Sequence, residues 1–137
     1  MLVFAACGTR KAASSGKTNT QSDLAYIQTF HNAMRYKVKG QTNNAIQAFD
    51  SCLMIRPTDD AAAFGLSQCY LQLDNKTKAA EYTELASKLD PNNIWYTQEL
   101  GYMYYNQGKF TEAEKCFAKM VKAQPNNVDW LFAHSEI

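Results

Sequence analysis

The sequence predicts an all-α protein, an α-solenoid of antiparallel helix pairs, on three observations. Pro57, Pro91 and Pro125 stand 34 residues apart, and other positions move in step: Tyr36, Tyr70 and Tyr104; Ala45, Ala79 and Ala113; Phe49, Thr83 and Phe117. A fixed period of a few tens of residues is the mark of a repeat architecture. Each period splits into two segments with the apolar spacing of an amphipathic helix. Turn and cap residues fall at every junction, so signals at several levels agree.

The period divides the chain into repeats at 26–59, 60–93 and 94–127, with a partial fourth at 128–137. In 94–107 the apolar residues are Ile94, Trp95, Leu100, Met103 and Tyr104; in 110–123 they are Phe110, Ala113, Phe117, Met120 and Val121. Gly108 separates these halves, where a left-handed helix end favours glycine. Gly40 holds that place in repeat one and Asp74, followed by Asn75, in repeat two; Asp and Asn tolerate that backbone region best after glycine. Thr111-Glu-Ala-Glu114 reads as a capping box opening the last helix. Each repeat closes on a proline that cannot continue a helix, and Asp59, Asn93 or Asn127 then stands as N-cap of the next. Ala45, Ala79 and Ala113 let paired helices approach; Tyr36, Phe49, Tyr70, Tyr104 and Phe117 fill the layer between them.

These residues carry a family resemblance. In repeat three Leu100-Gly101, Tyr104, Ala113, Phe117 and Pro125 occupy the places of a 34-residue consensus, and repeat two follows with Leu66-Ser67, Tyr70, Ala79, Ala86 and Pro91. Thr83 replaces the aromatic in repeat two, and Asn32 stands where leucine is usual in repeat one. From about residue 24 onward the chain resembles the tetratricopeptide repeat. That resemblance implies a superhelix whose concave face is lined by the first helix of each repeat. The places implied for ligand contact hold Ile27, Phe30, His31, Met34 and Lys37; Phe64, Gln68, Leu71 and Gln72; and Trp95, Gln98, Glu99, Tyr102, Tyr105 and Asn106, with Phe132 extending the row. Chaperone-binding members clamp a terminal carboxylate with lysines and asparagines, a set this row lacks. Its aromatic and amide side chains suit an apolar or extended peptide, with Trp95, Tyr102 and Tyr105 as the strongest anchors. The alternative is that several of these rings complete packing with a further repeat.

Before the array, Met1-Leu-Val-Phe-Ala-Ala-Cys7 resembles the lipobox of bacterial lipoproteins. It implies cleavage before Cys7, a lipid on that cysteine and a membrane-anchored protein facing the periplasm. Residues 1–6 then read as a truncated signal peptide, since no positively charged region precedes the apolar stretch. Residues 7–22 are polar and predict a flexible tether, leaving 23–137 as the array. A cytoplasmic protein is the alternative. Ten residues of a fourth repeat suggest a longer natural protein.

Composition narrows the function further. The 137 residues are 46% hydrophobic and 20% charged with a formal net charge of +1, which gives no basic stripe for nucleic acid. Cys52, Cys69 and Cys116 fall within helical patterns and read as buried free thiols. His31 and His134 have no ligand-spaced neighbours, and no serine or cysteine nucleophile has a partner motif. Ser15-Gly16-Lys17-Thr18 imitates the end of a phosphate loop but has Lys11 where that loop needs glycine. The expectation is a non-catalytic scaffold for a protein or peptide, with no cofactor, metal, nucleic acid or small-molecule substrate. Two alternatives stand beside it: the targeting module of a longer enzyme, and a cytosolic adaptor.

Overall fold

The computed structural model describes residues 15–127, with side chains from residue 20. Among these, six α-helices follow one another: α1 (Ser15–Val38), α2 (Thr42–Ile55), α3 (Asp60–Gln72), α4 (Lys76–Leu89), α5 (Ile94–Asn106) and α6 (Phe110–Ala123). Helices adjacent in sequence pack together, and α1 also reaches α3. Pairs α1–α2, α3–α4 and α5–α6 are the three repeats, stacked in order. The described residues include no helix long and apolar enough to cross a membrane.

The turns repeat as faithfully as the sequence. Gly40 and Gly108 have φ +71° and Asp74 has φ +54°, so all three left-handed positions are as expected. The carbonyls of Tyr36, Tyr70 and Tyr104 accept from the N–H groups of Gln41, Asn75 and Lys109, each at 2.9 Å. With the bonds Gly40 N to Lys37 O, Asp74 N to Leu71 O and Gly108 N to Tyr105 O, these are three successive Schellman motifs. At the other junctions Arg56, Asp90 and Gln124 precede proline with φ −133°, −125° and −137°. Proline disfavours helical geometry in the residue before it, and the helix stops there.

Asp59 accepts from the Ala62 N–H at 3.2 Å and Asn93 from the Trp95 N–H at 3.2 Å, as an N-cap should. Asn75 does the same for Lys78 at 3.1 Å. The capping box at Thr111 is not formed. The helical ladder of α6 already begins with the Ala113 N–H bonded to the Lys109 carbonyl, so Thr111 lies inside the first turn and Lys109 is the N-cap without a side-chain bond. The left-handed Gly108 turns the chain straight into α6 and leaves no place for the hydroxyl.

The tether also changes. Residues 15–22, expected within a flexible tether over 7–22, are helical and continuous with α1; positions 7–14 lie outside the described residues. Helix nucleation is the costly step, and it falls on the packed part of α1; extending it adds one hydrogen bond per residue. The signal segment, Cys7, Asn127's role as an N-cap and the partial repeat with Phe132 and His134 involve residues outside those described.

Ala45, Ala79 and Ala113 are fully buried, as are Phe49 and, at 2% exposure, Phe117. Tyr36, Tyr70 and Tyr104 are half-buried against this core. Cys52 and Cys69 are buried and Cys116 partly so, all as free thiols; burial pushes the Cys52 thiol up to about 11. Asn32 now has a reason. Its counterparts Leu66 and Leu100 are buried against the preceding helix pair, whereas Asn32 lines a shallow recess with Thr29, Asn44, Gln47 and Ser51. Among the described residues this face of repeat one is mostly polar.

Candidate functional site

The first helices α1, α3 and α5 form one continuous face. Lys37 of α1 donates to the Gln68 side chain of α3, and Phe64 of α3 meets Tyr96 of α5 with ring centroids 5.0 Å apart. Both links join residues one repeat apart, so the spacing between these helices is fixed by direct contact. Outer ties hold the same junctions. Tyr26 donates to Asp59 at 2.5 Å and Tyr96 to Asp60 at 2.7 Å. Burial first, then the bond to Asp59, pushes the Tyr26 phenol up to about 12, and Tyr96 shifts upward for the same kinds of reason. Arg56 stacks 3.7 Å from the Tyr26 ring centroid and pairs with Asp23 at 2.6 Å.

On this face the exposed apolar side chains fall in a row: Ile27, Met34, Leu71, Trp95, Tyr102 and Tyr105. Trp95 is 52% exposed, Tyr102 43% and Tyr105 41%, large values for rings that a globular surface would rather cover. Tyr102 rests edge-on against Phe117 at 5.4 Å and Tyr105 against Phe110 at 5.5 Å. Each ring therefore has one anchored edge and one open side, which limits its rotamers before any partner arrives. Asn106 is exposed, and Gln98 and Gln68 are half-exposed, supplying amide groups between the rings.

Two of the expected contact residues also take part in packing. Phe30 is half-buried, 5.9 Å from Tyr26 and 5.8 Å from Phe49. Phe64 is half-buried against Tyr96, within the cluster of Ala63 and Ala86. The Phe30 ring packs within its own repeat, and the Phe64 ring against the next one. Sequence reasoning also missed a recess of about 350 Å³ lined by Leu71, Lys76, Met103, Asn106 and Gln107. It forms where the Gln107 side chain donates to the Lys76 carbonyl at 3.1 Å, a contact between the ends of α5 and α4 that no period announces.

Among the described residues no group of three or more His, Cys, Asp and Glu could hold a metal ion. His31 is exposed.

Models described as tetratricopeptide repeat match residues 39–98 and 97–127, together more than half of the chain. The chain belongs to the tetratricopeptide-repeat family. Response regulator aspartate phosphatase E of Bacillus subtilis (strain 168) is 34% identical over 76 residues, 52% of this chain and 20% of that protein; the chain thus spans a fifth of that relative's length. The second TPR domain of human RPAP3, solved with the HSP70 peptide SGPTIEEVD, superposes with a TM-score of 0.69 at 16% identity, covering 84% of this chain and 96% of that one. The translocator chaperone SycD of Yersinia enterocolitica gives 0.67 at 14% identity, covering 91% and 93%. Its complex with a peptide of the translocator YopD gives 0.66 at 14%, covering 82% and 86%. At such identities the likeness is one of fold.

Proposed function

We propose that this tetratricopeptide-repeat protein is non-catalytic and holds a peptide or protein segment on the face of α1, α3 and α5. The observation that carries the reading is the row of part-open aromatic and aliphatic side chains there, above all Trp95, Tyr102 and Tyr105. Aromatic anchors of this kind dominate binding energy at interfaces, and amides between them satisfy the backbone of an extended segment. Structural neighbours solved with peptides, the RPAP3 domain and SycD, support a peptide or protein as the class of partner.

The test is a partner capture with the full chain and a variant carrying Trp95→Ala, Tyr102→Ala and Tyr105→Ala. The expected outcome is loss of the partners with the helical circular dichroism retained. A folded variant that keeps every partner overturns the reading.

The proposal includes an envelope location, with Cys7 lipidated and the array facing the periplasm. Its support is the apolar run ending in Ala-Ala-Cys7 and the polar segment after it. Incorporation of an alkynyl fatty acid into the wild type and not into Cys7→Ser is the expected result; no incorporation into either favours the cytoplasmic alternative. The phosphatase relative, of which the chain matches only a fifth, favours a second reading, an array that serves as one module of a longer protein with activity elsewhere.

A further inference from the structure

The inner face carries a carboxylate that no group among the described residues answers. Glu99 lies on α5 and is half-buried, and burial alone pushes its carboxyl above the usual range. Among the described residues it makes no hydrogen bond or ion pair. Lys37, the basic residue among the expected contact positions, is engaged with Gln68 on α3. Trp95, Glu99 and Tyr102 stand at i, i+4 and i+7 and so share one helix face, with both rings exposed.

The repeat register shows why a side chain can stand at this position. In repeat two the matching position is Gly65, where an added Cβ would come within 2.5 Å of the Phe49 ring. One period on, the residue matching Phe49 is Thr83, so no ring holds position 99 to glycine.

We propose that Glu99, framed by Trp95 and Tyr102, receives a lysine or arginine side chain of the bound segment. This rests on the reading of the face as a peptide-binding surface. A carboxylate partly withdrawn from water gains a charge-assisted hydrogen bond when a cation arrives, and exposed ring faces on either side attract the same charge. An acidic segment would meet like charge here. The occupant is therefore a peptide in which a basic residue neighbours an apolar one, the apolar side chain lying on the aromatic row.

The experiment is an array of random dodecapeptides probed with the full chain, as wild type, Glu99→Gln and Trp95→Ala, with thermal melts to confirm folding. The wild type is expected to retain peptides enriched in lysine or arginine beside apolar residues. Glu99→Gln, which keeps the shape, should weaken those peptides roughly tenfold, the effect of about one charge-assisted bond, and leave neutral ones unchanged. If enrichment is absent, or survives Glu99→Gln, while Trp95→Ala still loses peptides, this inference falls and the binding face stands. If the wild type retains no peptide, both fall.

Discussion

Repeat two fills the centre of its helix pair with hydroxyl groups where repeats one and three set a ring against a small residue. The paired positions are Ala33 and Phe49 in repeat one, Gly101 and Phe117 in repeat three, and Ser67 and Thr83 in repeat two. Ser67 and Thr83 are both fully buried, and their hydroxyl oxygens lie 2.6 Å apart, with one donating to the other. Met103 fills the space a ring would take, its sulfur 3.5 Å from the Thr83 hydroxyl. The Ser67–Thr83 pair is smaller than either ring pair as well as more polar, and a buried polar pair is tolerated when its members satisfy each other. The difference propagates along the stack, because Phe49 demands Gly65 beside it and Thr83 tolerates Glu99.

The strongest way to break this comparison is to give repeat two the ring of its neighbours. Thr83→Phe should cost about 4 kcal/mol, combining an overpacked core with a Ser67 hydroxyl left without its partner. The triple variant Ser67→Ala, Thr83→Phe, Glu99→Gly copies the pattern of repeats one and two and should recover more than half of that loss in urea unfolding followed by circular dichroism. A triple variant as unstable as the single one would break the link between positions 83 and 99.

Gly65→Ala comes next, at about 2 kcal/mol. Its Cβ would stand 2.5 Å from Cε1 and Cζ of Phe49, a buried ring with little freedom to swing away. Gly101→Ala is the milder control, since its nearest atoms, Cβ of Cys116 and Cε1 of Phe117, lie 3.1 Å away. The comparison predicts that Gly65→Ala lowers the melting temperature more than Gly101→Ala.

The hydroxyl pair itself is sharpened by a double-mutant cycle. Ser67→Ala leaves Thr83 with the weak thioether contact and should cost about 1–2 kcal/mol; Thr83→Val should cost a similar amount. With both hydroxyls removed nothing buried is unsatisfied, so the double variant should be less destabilised than the sum. Additive losses would mean that the two groups act separately.

The sequence exposed the fold well because the fold is periodic. A 34-residue step assigns Ala45, Ala79 and Ala113 to contacts, and the left-handed turns to Gly40, Asp74 and Gly108, without any knowledge of distant contacts. It failed where a residue's role depends on its particular neighbour. Thr83 departs from the consensus because Ser67 lies against it, and Asn32 because among the described residues its face is an open recess. The proposed binding face is legible as a row of positions, but period alone cannot tell which rings packing half-covers. Phe30 and Phe64 pack against Phe49 and Tyr96, whereas Trp95, Tyr102 and Tyr105 stay open. The recess beside Gln107 depends on a side chain reaching the carbonyl of Lys76, and neither residue has a pattern that announces it.

The smallest expected effect lies at the turn of repeat two. Asp74 holds φ +54° where the other repeats use glycine. Left-handed geometry costs a residue with a Cβ about 1 kcal/mol or more, less for Asp than for most. Asp74→Gly removes that cost but gives the unfolded chain more freedom, worth about 0.4–1 kcal/mol in the opposite direction. It also removes the carboxylate 3.9 Å from Lys76, an exposed contact of little weight. The terms nearly cancel, so the melting temperature should move by no more than about 3 °C. Gly108→Ala gains no such relief and should lose about 1 kcal/mol by entering the left-handed region. If Asp74→Gly instead stabilised strongly, the turn of repeat two would be strained rather than equivalent, and the difference between the repeats would extend from their cores to their backbones.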